Sequence, residues 1–286
     1  MDITGLLNDL GPLNTIAISA IVFIGLPHGA MDGAVAYRLG WGKNLKKALV
    51  FLLAYVLLAA GVVVFWFQFP VIALIAFLGI SMVHFGFGDV RSTKKFHIWI
   101  EAIAHGGVVI CGISLSHVTS VDVIFSSLVD GGDTSLIWGF IYVASGISGC
   151  AFLYCLSKFS QGRQWVKCCA EMLSLGLIFY FLPPLVAFAF YFCFIHSIRH
   201  FVSLYRVIND EISSKKIYWL TFIFSVITWS AGVLVLSMYG SSVEVGSQVL
   251  NVVFIGLAAL TVPHMILIDG WVKTNFTESA LSQKIF

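Results

Sequence analysis

The stretch YFCFIHSIRHFVSLYR (191–206) decides how the chain is read, because it sets His196, Arg199 and His200 inside a run otherwise fit for a lipid bilayer. The surrounding sequence is of the same kind. It is 59% hydrophobic, 15% aromatic and 10% charged, where soluble domains carry about 25% charged residues. Apolar runs long enough to cross a hydrocarbon core of about 30 Å recur from Thr15 almost to the end. The sequence therefore predicts an all-α, polytopic transmembrane helix bundle. Residues 1–286 form one integral membrane domain in contact with the lipid bilayer, with no room for a soluble one. A net charge of +2 with no basic stripe gives no reason to expect nucleic acid as a partner. The opening MDITGLLNDLGPLN has no basic stretch before its first apolar run, so that run is expected to stay as a helix. The six cysteines lie in or beside apolar runs, lack a C-x-x-C pair, and read as small buried hydrophobes.

Nine spans are predicted, at about 15–38, 47–67, 70–88, 98–116, 136–157, 168–182, 184–206, 217–239 and 247–270. Pro70 and Pro184 suit tight reversals between helices, and the longer segment 117–135 reads as a loop. Lysine and arginine in short loops orient such a chain. Of the 16 basic residues, all but Arg199 fall on one side: Arg38, Lys43, Lys46, Lys47; Arg91, Lys94, Lys95; Lys158, Arg163, Lys167; Arg206, Lys215, Lys216; Lys273, Lys284. Asp2, Asp9, Asp122, Asp130, Asp133 and Glu244 mark the other. The N-terminus is thus expected outside and the C-terminus in the cytoplasm, in a multi-pass protein of the cell (inner) membrane.

With sides assigned, each histidine acquires a depth. His28, His84, His196, His200 and His264 lie six to ten residues from the nearest basic residue of the cytoplasmic face, about 9–15 Å at 1.5 Å per residue. They come from four different spans, as a site built in a bundle core requires. His196 and His200, spaced i and i+4, share one helix face and can bind one metal ion. Imidazole suits iron, zinc, copper or nickel, and a four-histidine shell with open positions fits non-haem Fe(2+). No cysteine or carboxylate is expected at that depth with ligand spacing. Asp32 and Asp269 are candidates to orient imidazoles from behind. Arg199 is expected to be a buried counter-charge to Asp32 or Asp89. His105 lies at a similar depth, as an alternative ligand or a hydrogen-bond donor to one, whereas His97 and His117 near span ends are expected to be solvated. Pro27, Pro263 and the glycines around His28 and His84 predict helices that kink or pack closely at the site.

Four motifs, GLPHGAMDG (25–33), MVHFGFGD (82–89), HSIRHF (196–201) and TVPHMILID ending at Asp269, together resemble the Brp/Blh-type β-carotene 15,15'-dioxygenases of bacteria and archaea. The resemblance implies an enzyme that uses Fe(2+) and O2 to cleave β-carotene at its central double bond into two molecules of all-trans-retinal. It also implies a functional link to a microbial rhodopsin that takes the retinal. His28, His84, His196 and His200 match the metal-ligating and catalytic positions; His264, Asp32, Arg199 and His105 stay beside them as supporting residues or further ligands. Gly33 and Asp269 depart from the family pattern, which often has histidine and commonly glutamate there. The competing class is a non-enzymatic carotenoid- or haem-binding membrane protein, in which the same histidines serve as axial ligands or a relay. H-x-x-H-H boxes of the di-iron desaturase kind are absent from the sequence.

Overall fold

The computed structural model describes residues 3–238 and 244–268. Asp2, Asp269, Lys273 and Lys284 lie outside the described residues. Among the described residues the chain is helical, with no strand. This is what a chain short of water must adopt, since helices satisfy their backbone groups internally.

Among the described residues, eight helices are long and apolar enough to cross a membrane: α1 (Asp9–Arg38), α2 (Leu45–Gln68), α3 (Pro70–Asp89), α4 (Lys95–Ser116), α6 (Ser135–Ser157), α8 (Pro184–Ile208), α9 (Ser214–Met238) and α10 (Val245–Ile268). The reversals at Pro70 and Pro184 fall where the prolines predict them, at the first turn of a helix, where the missing N–H has no bond to lose. Two expectations change. The sixth predicted span belongs to a longer helix, α7 (Arg163–Phe181), whose first half carries Lys167 and Glu171, and it is not among the eight. The segment 117–135 is not all loop. It holds a short helix, α5 (Val118–Leu128), with Val121, Phe125 and Leu128 buried along one face.

The chain divides into two compact units. One comprises residues 1–68 and 192–286, the other 69–191. In the first, Met31, Ala34 and Val35 of α1, Leu204 and Ile208 of α8, Ile217 of α9 and Leu267 of α10 share one core. Asp9 caps the start of α10 by accepting a hydrogen bond from the Gly246 backbone N–H at 3.1 Å, one of the donors every helix N-terminus leaves over. In the second unit, α4 is the central helix, packed against α3, α6 and α7. Gly86 lies against the Ala102 backbone and Gly106 against the Met82 carbonyl, leaving no room for a Cβ at either. Small residues of this kind let membrane helices approach to backbone contact.

The helices that carry His28, His196, His200 and His264 are widened. α1 is π-helical over Ile21–Gly25 and α8 over Phe190–His196, and α10 turns π-helical at residues 266–268. Pro27 gives the physical reason in α1, since without an N–H it cannot close a bond to the preceding turn. The Val22 carbonyl is taken up instead by the indole N–H of Trp229 on α9, at 2.9 Å.

Candidate metal centre

In the first unit four imidazoles converge. His28 from α1 has its ring centre 5.4 Å from His196, 5.6 Å from His200 and 5.7 Å from His264. His196 and His200 stand 5.9 Å apart and nearly parallel, one helical turn from each other on α8. His264 of α10 closes the group at 5.0 Å from His200. His28, His196 and His264 are buried and His200 is half-buried.

Two of these rings are fixed through Nδ1. His28 Nδ1 donates to the Gly25 carbonyl and sits 3.1 Å from Ser197 Oγ, whose own hydroxyl donates to the Phe192 carbonyl at 2.6 Å. His264 Nδ1 donates to Asp32 Oδ1 at 2.8 Å, and Tyr55 donates to the other carboxylate oxygen at 2.9 Å. A proton held on Nδ1 puts the imidazole lone pair on Nε2, the state in which histidine binds a metal. Asp32 is fully buried and holds the His264 ring from behind.

The donor set fits an ion. Imidazoles that share one ion through Nε2 at about 2.1 Å keep their ring centres about 5 Å apart, and the observed separations exceed that by less than 1 Å. All four donors are neutral nitrogen bases, which suit iron, zinc, copper or nickel in preference to calcium or magnesium. Phe192 lines the group, stacked on His196 and edge-on to His28. It fits there because residue 25 is glycine, whose place a Cβ would contest with the phenyl ring.

His84 is buried on α3 in the second unit, its ring 6.0 Å from Phe85. Arg199 is exposed, and Asp32 is engaged by Tyr55 and His264. His117 donates from Nε2 to the Phe179 carbonyl at 3.0 Å, and His97 meets the Tyr154 hydroxyl at 3.2 Å, so both have protein partners in addition to any solvent. His105 is fully buried in the second unit between Asp89 and Glu171. Depth counting overlooked these carboxylates, because the three residues stand on three different helices and no spacing along one helix announces them.

The family model of the β-carotene 15,15'-dioxygenases matches residues 19–272. A relative described as β-carotene 15,15'-dioxygenase, from the uncultured marine bacterium 66A03, is 36% identical over 257 residues, covering 88% of this chain and 92% of its own length. A probable β-carotene 15,15'-dioxygenase Blh from Halobacterium salinarum is 28% identical over 207 residues, 65% of this chain and 59% of the relative. No solved structure matches the chain. A match over this much of the sequence means that the chain belongs to the β-carotene 15,15'-dioxygenase family.

Proposed function

We propose that the chain, 1–286, acts as one membrane domain that cleaves β-carotene at its 15,15' double bond with O2, giving two molecules of all-trans-retinal. The observation that carries this reading is the convergence of His28, His196, His200 and His264 in a chain whose relatives are described as β-carotene 15,15'-dioxygenases. The ligands proposed are His28, His84, His196 and His200, the histidines of the first three family motifs, with His264 as a fifth imidazole beside them. Bound Fe(2+) would supply the redox chemistry by which both oxygen atoms enter the product.

The chain's own residues do the rest. Gly25 and Asp32 hold the Nδ1 protons of His28 and His264, so that both rings present Nε2. Asp32 adds the negative charge that an all-imidazole set lacks. Phe192 and the buried rings around it keep water from the group. A polyene as apolar as β-carotene dissolves in the bilayer, and helices that expose their apolar faces to lipid let it enter sideways.

The orientation proposed is N-terminus outside and C-terminus in the cytoplasm of the cell membrane. Basic residues after α1, α3, α6 and α8 share one side only if α7 also crosses, as a ninth span. The retinal formed has the chemistry of a rhodopsin chromophore, which makes such a protein the consumer we infer.

Expression in cells that accumulate β-carotene tests the reaction. Loss of colour with the appearance of retinal is expected. Persistent colour in cells holding folded, iron-loaded protein would overturn it.

A further inference from the structure

Apart from the imidazole group, the described residues hold a second cluster with metal-ligand chemistry, in the second unit. Asp89 at the end of α3, His105 on α4 and Glu171 on α7 each bring one ligand atom to within 4.8 Å of the others. His105 Nδ1 is 3.6 Å from Asp89 Oδ2, and His105 Nε2 is 4.0 Å from Glu171 Oε1. Both gaps exceed hydrogen-bond length. The ring is fully buried, and neither nitrogen makes a hydrogen bond.

The surroundings resemble the support of a site. Tyr191 donates to Asp89 Oδ2 at 2.6 Å, and Arg91 pairs with Glu171. Glu101, one turn before His105, accepts the backbone N–H groups of Arg91 and Ser92, both at 2.9 Å, and so anchors the chain that leads out of α3. Within this network three carboxylates, Asp89, Glu101 and Glu171, face one guanidinium, Arg91.

We propose that Asp89, His105 and Glu171 bind a divalent first-row transition metal ion through one oxygen of each carboxylate and one imidazole nitrogen. Ligands about 2.1 Å from one ion lie about 3–4.2 Å apart; whichever His105 nitrogen serves, one carboxylate oxygen lies in that range of it, and one ligand atom from each residue stays within 4.8 Å of the other two. Oxygen and nitrogen donors together suit manganese, iron or zinc. This site shares no residue with the imidazole group and does not rest on the proposed reaction.

The test is a Co2+ titration of chelator-stripped, detergent-purified protein, followed by visible absorption and elemental analysis. Two ions per chain are expected in the wild type. Asp89→Asn and Glu171→Gln, near-isosteric changes, should each drop the count to one and leave the bands of the all-nitrogen site. His196→Ala should remove those bands and keep the ion at Asp89. If Asp89→Asn and Glu171→Gln, both monodisperse and with wild-type thermal unfolding, leave the count unchanged, the site does not exist. One ion in the wild type, lost in Asp89→Asn and kept in His196→Ala, would uphold this site and count against the imidazole centre.

Discussion

Asp32 and His264, separated by 232 positions in sequence, meet at 2.8 Å between carboxylate and Nδ1. The bond fixes which nitrogen of His264 carries its proton, and it places a buried negative charge directly behind an imidazole of the cluster. Asp32→Asn keeps the shape and loses the charge. Outer partners of this kind are worth about 10–100-fold in metal affinity or activity, and because Asp32 acts through His264 the cost should fall on the activity of the iron-loaded protein, by about the lower factor. Tyr55→Phe removes only a hydrogen bond to the same carboxylate and should cost about 1 kcal/mol. Equal activity in iron-loaded wild type and Asp32→Asn would show that the carboxylate does not act on the centre.

Replacing His28, His84, His196 or His200 with alanine should remove bound iron together with activity. His264→Ala is the discriminating variant. It is expected to retain most of the iron per folded molecule and to lose part of the activity. Elemental analysis of monodisperse protein decides it, and complete loss of iron would place His264 among the obligatory ligands.

Arg199 was expected to be a buried counter-charge, and the fold exposes it instead. A long cationic side chain on a lipid-facing helix can carry its head to the interface while its stem stays in the apolar layer. Arg199→Ala should therefore leave iron content per folded molecule unchanged. A large drop in folded yield would restore the buried-partner reading.

Gly25→Ala drives a methyl group into Phe192, which stacks on His196. Overpacking of this sort costs about 1–3 kcal/mol. The unfolding temperature should fall, and iron affinity with it. Combining the change with Phe192→Leu should recover part of both.

Glu211, in the turn after α8, pairs with Arg38 at 2.7 Å. The hydrogen bond and charge of Arg38 hold its carboxyl below the ordinary glutamate value. A depressed carboxylate stabilises the fold above its unfolded pKa, about 4.3, and that contribution disappears as pH falls through the lower, folded value. Between pH 6 and pH 3 the wild type should therefore lose slightly more stability than Glu211→Gln. Identical pH profiles from thermal unfolding would remove this pair from the account.

Much of the fold was legible because apolar runs, prolines at helix starts and loop lysines are local signals. The depth shared by His28, His196, His200 and His264 anticipated their convergence for the same reason, since depth follows from counting along each helix. What could not be read were relations across helices. Asp32, four residues after His28, orients His264 instead. Glu171 meets His105 although nothing in RQWVKCCAEML marks it as more than the polar end of a helix. α7 fell short of a clear span because Lys167 and Glu171 dilute its apolar run, and Val118–Leu128 was taken for loop because its apolar positions recur on one face only.

The wide turn at Phe190–His196 also sets how this site can change over time. A π-helical stretch holds one residue more than an α-helix of the same span. Deleting one of the residues ahead of His196 there would let α8 rewind as α-helix of the same span and keep His200 nearly in phase with His28, whereas deleting one from the α-helical turn between His196 and His200 would swing everything beyond it by about 100°. The wide turn can therefore absorb a change of length that a plain α-helix would pass on as rotation. The heritable property of the centre is phase, counted in residues, as much as the identity of the histidines themselves.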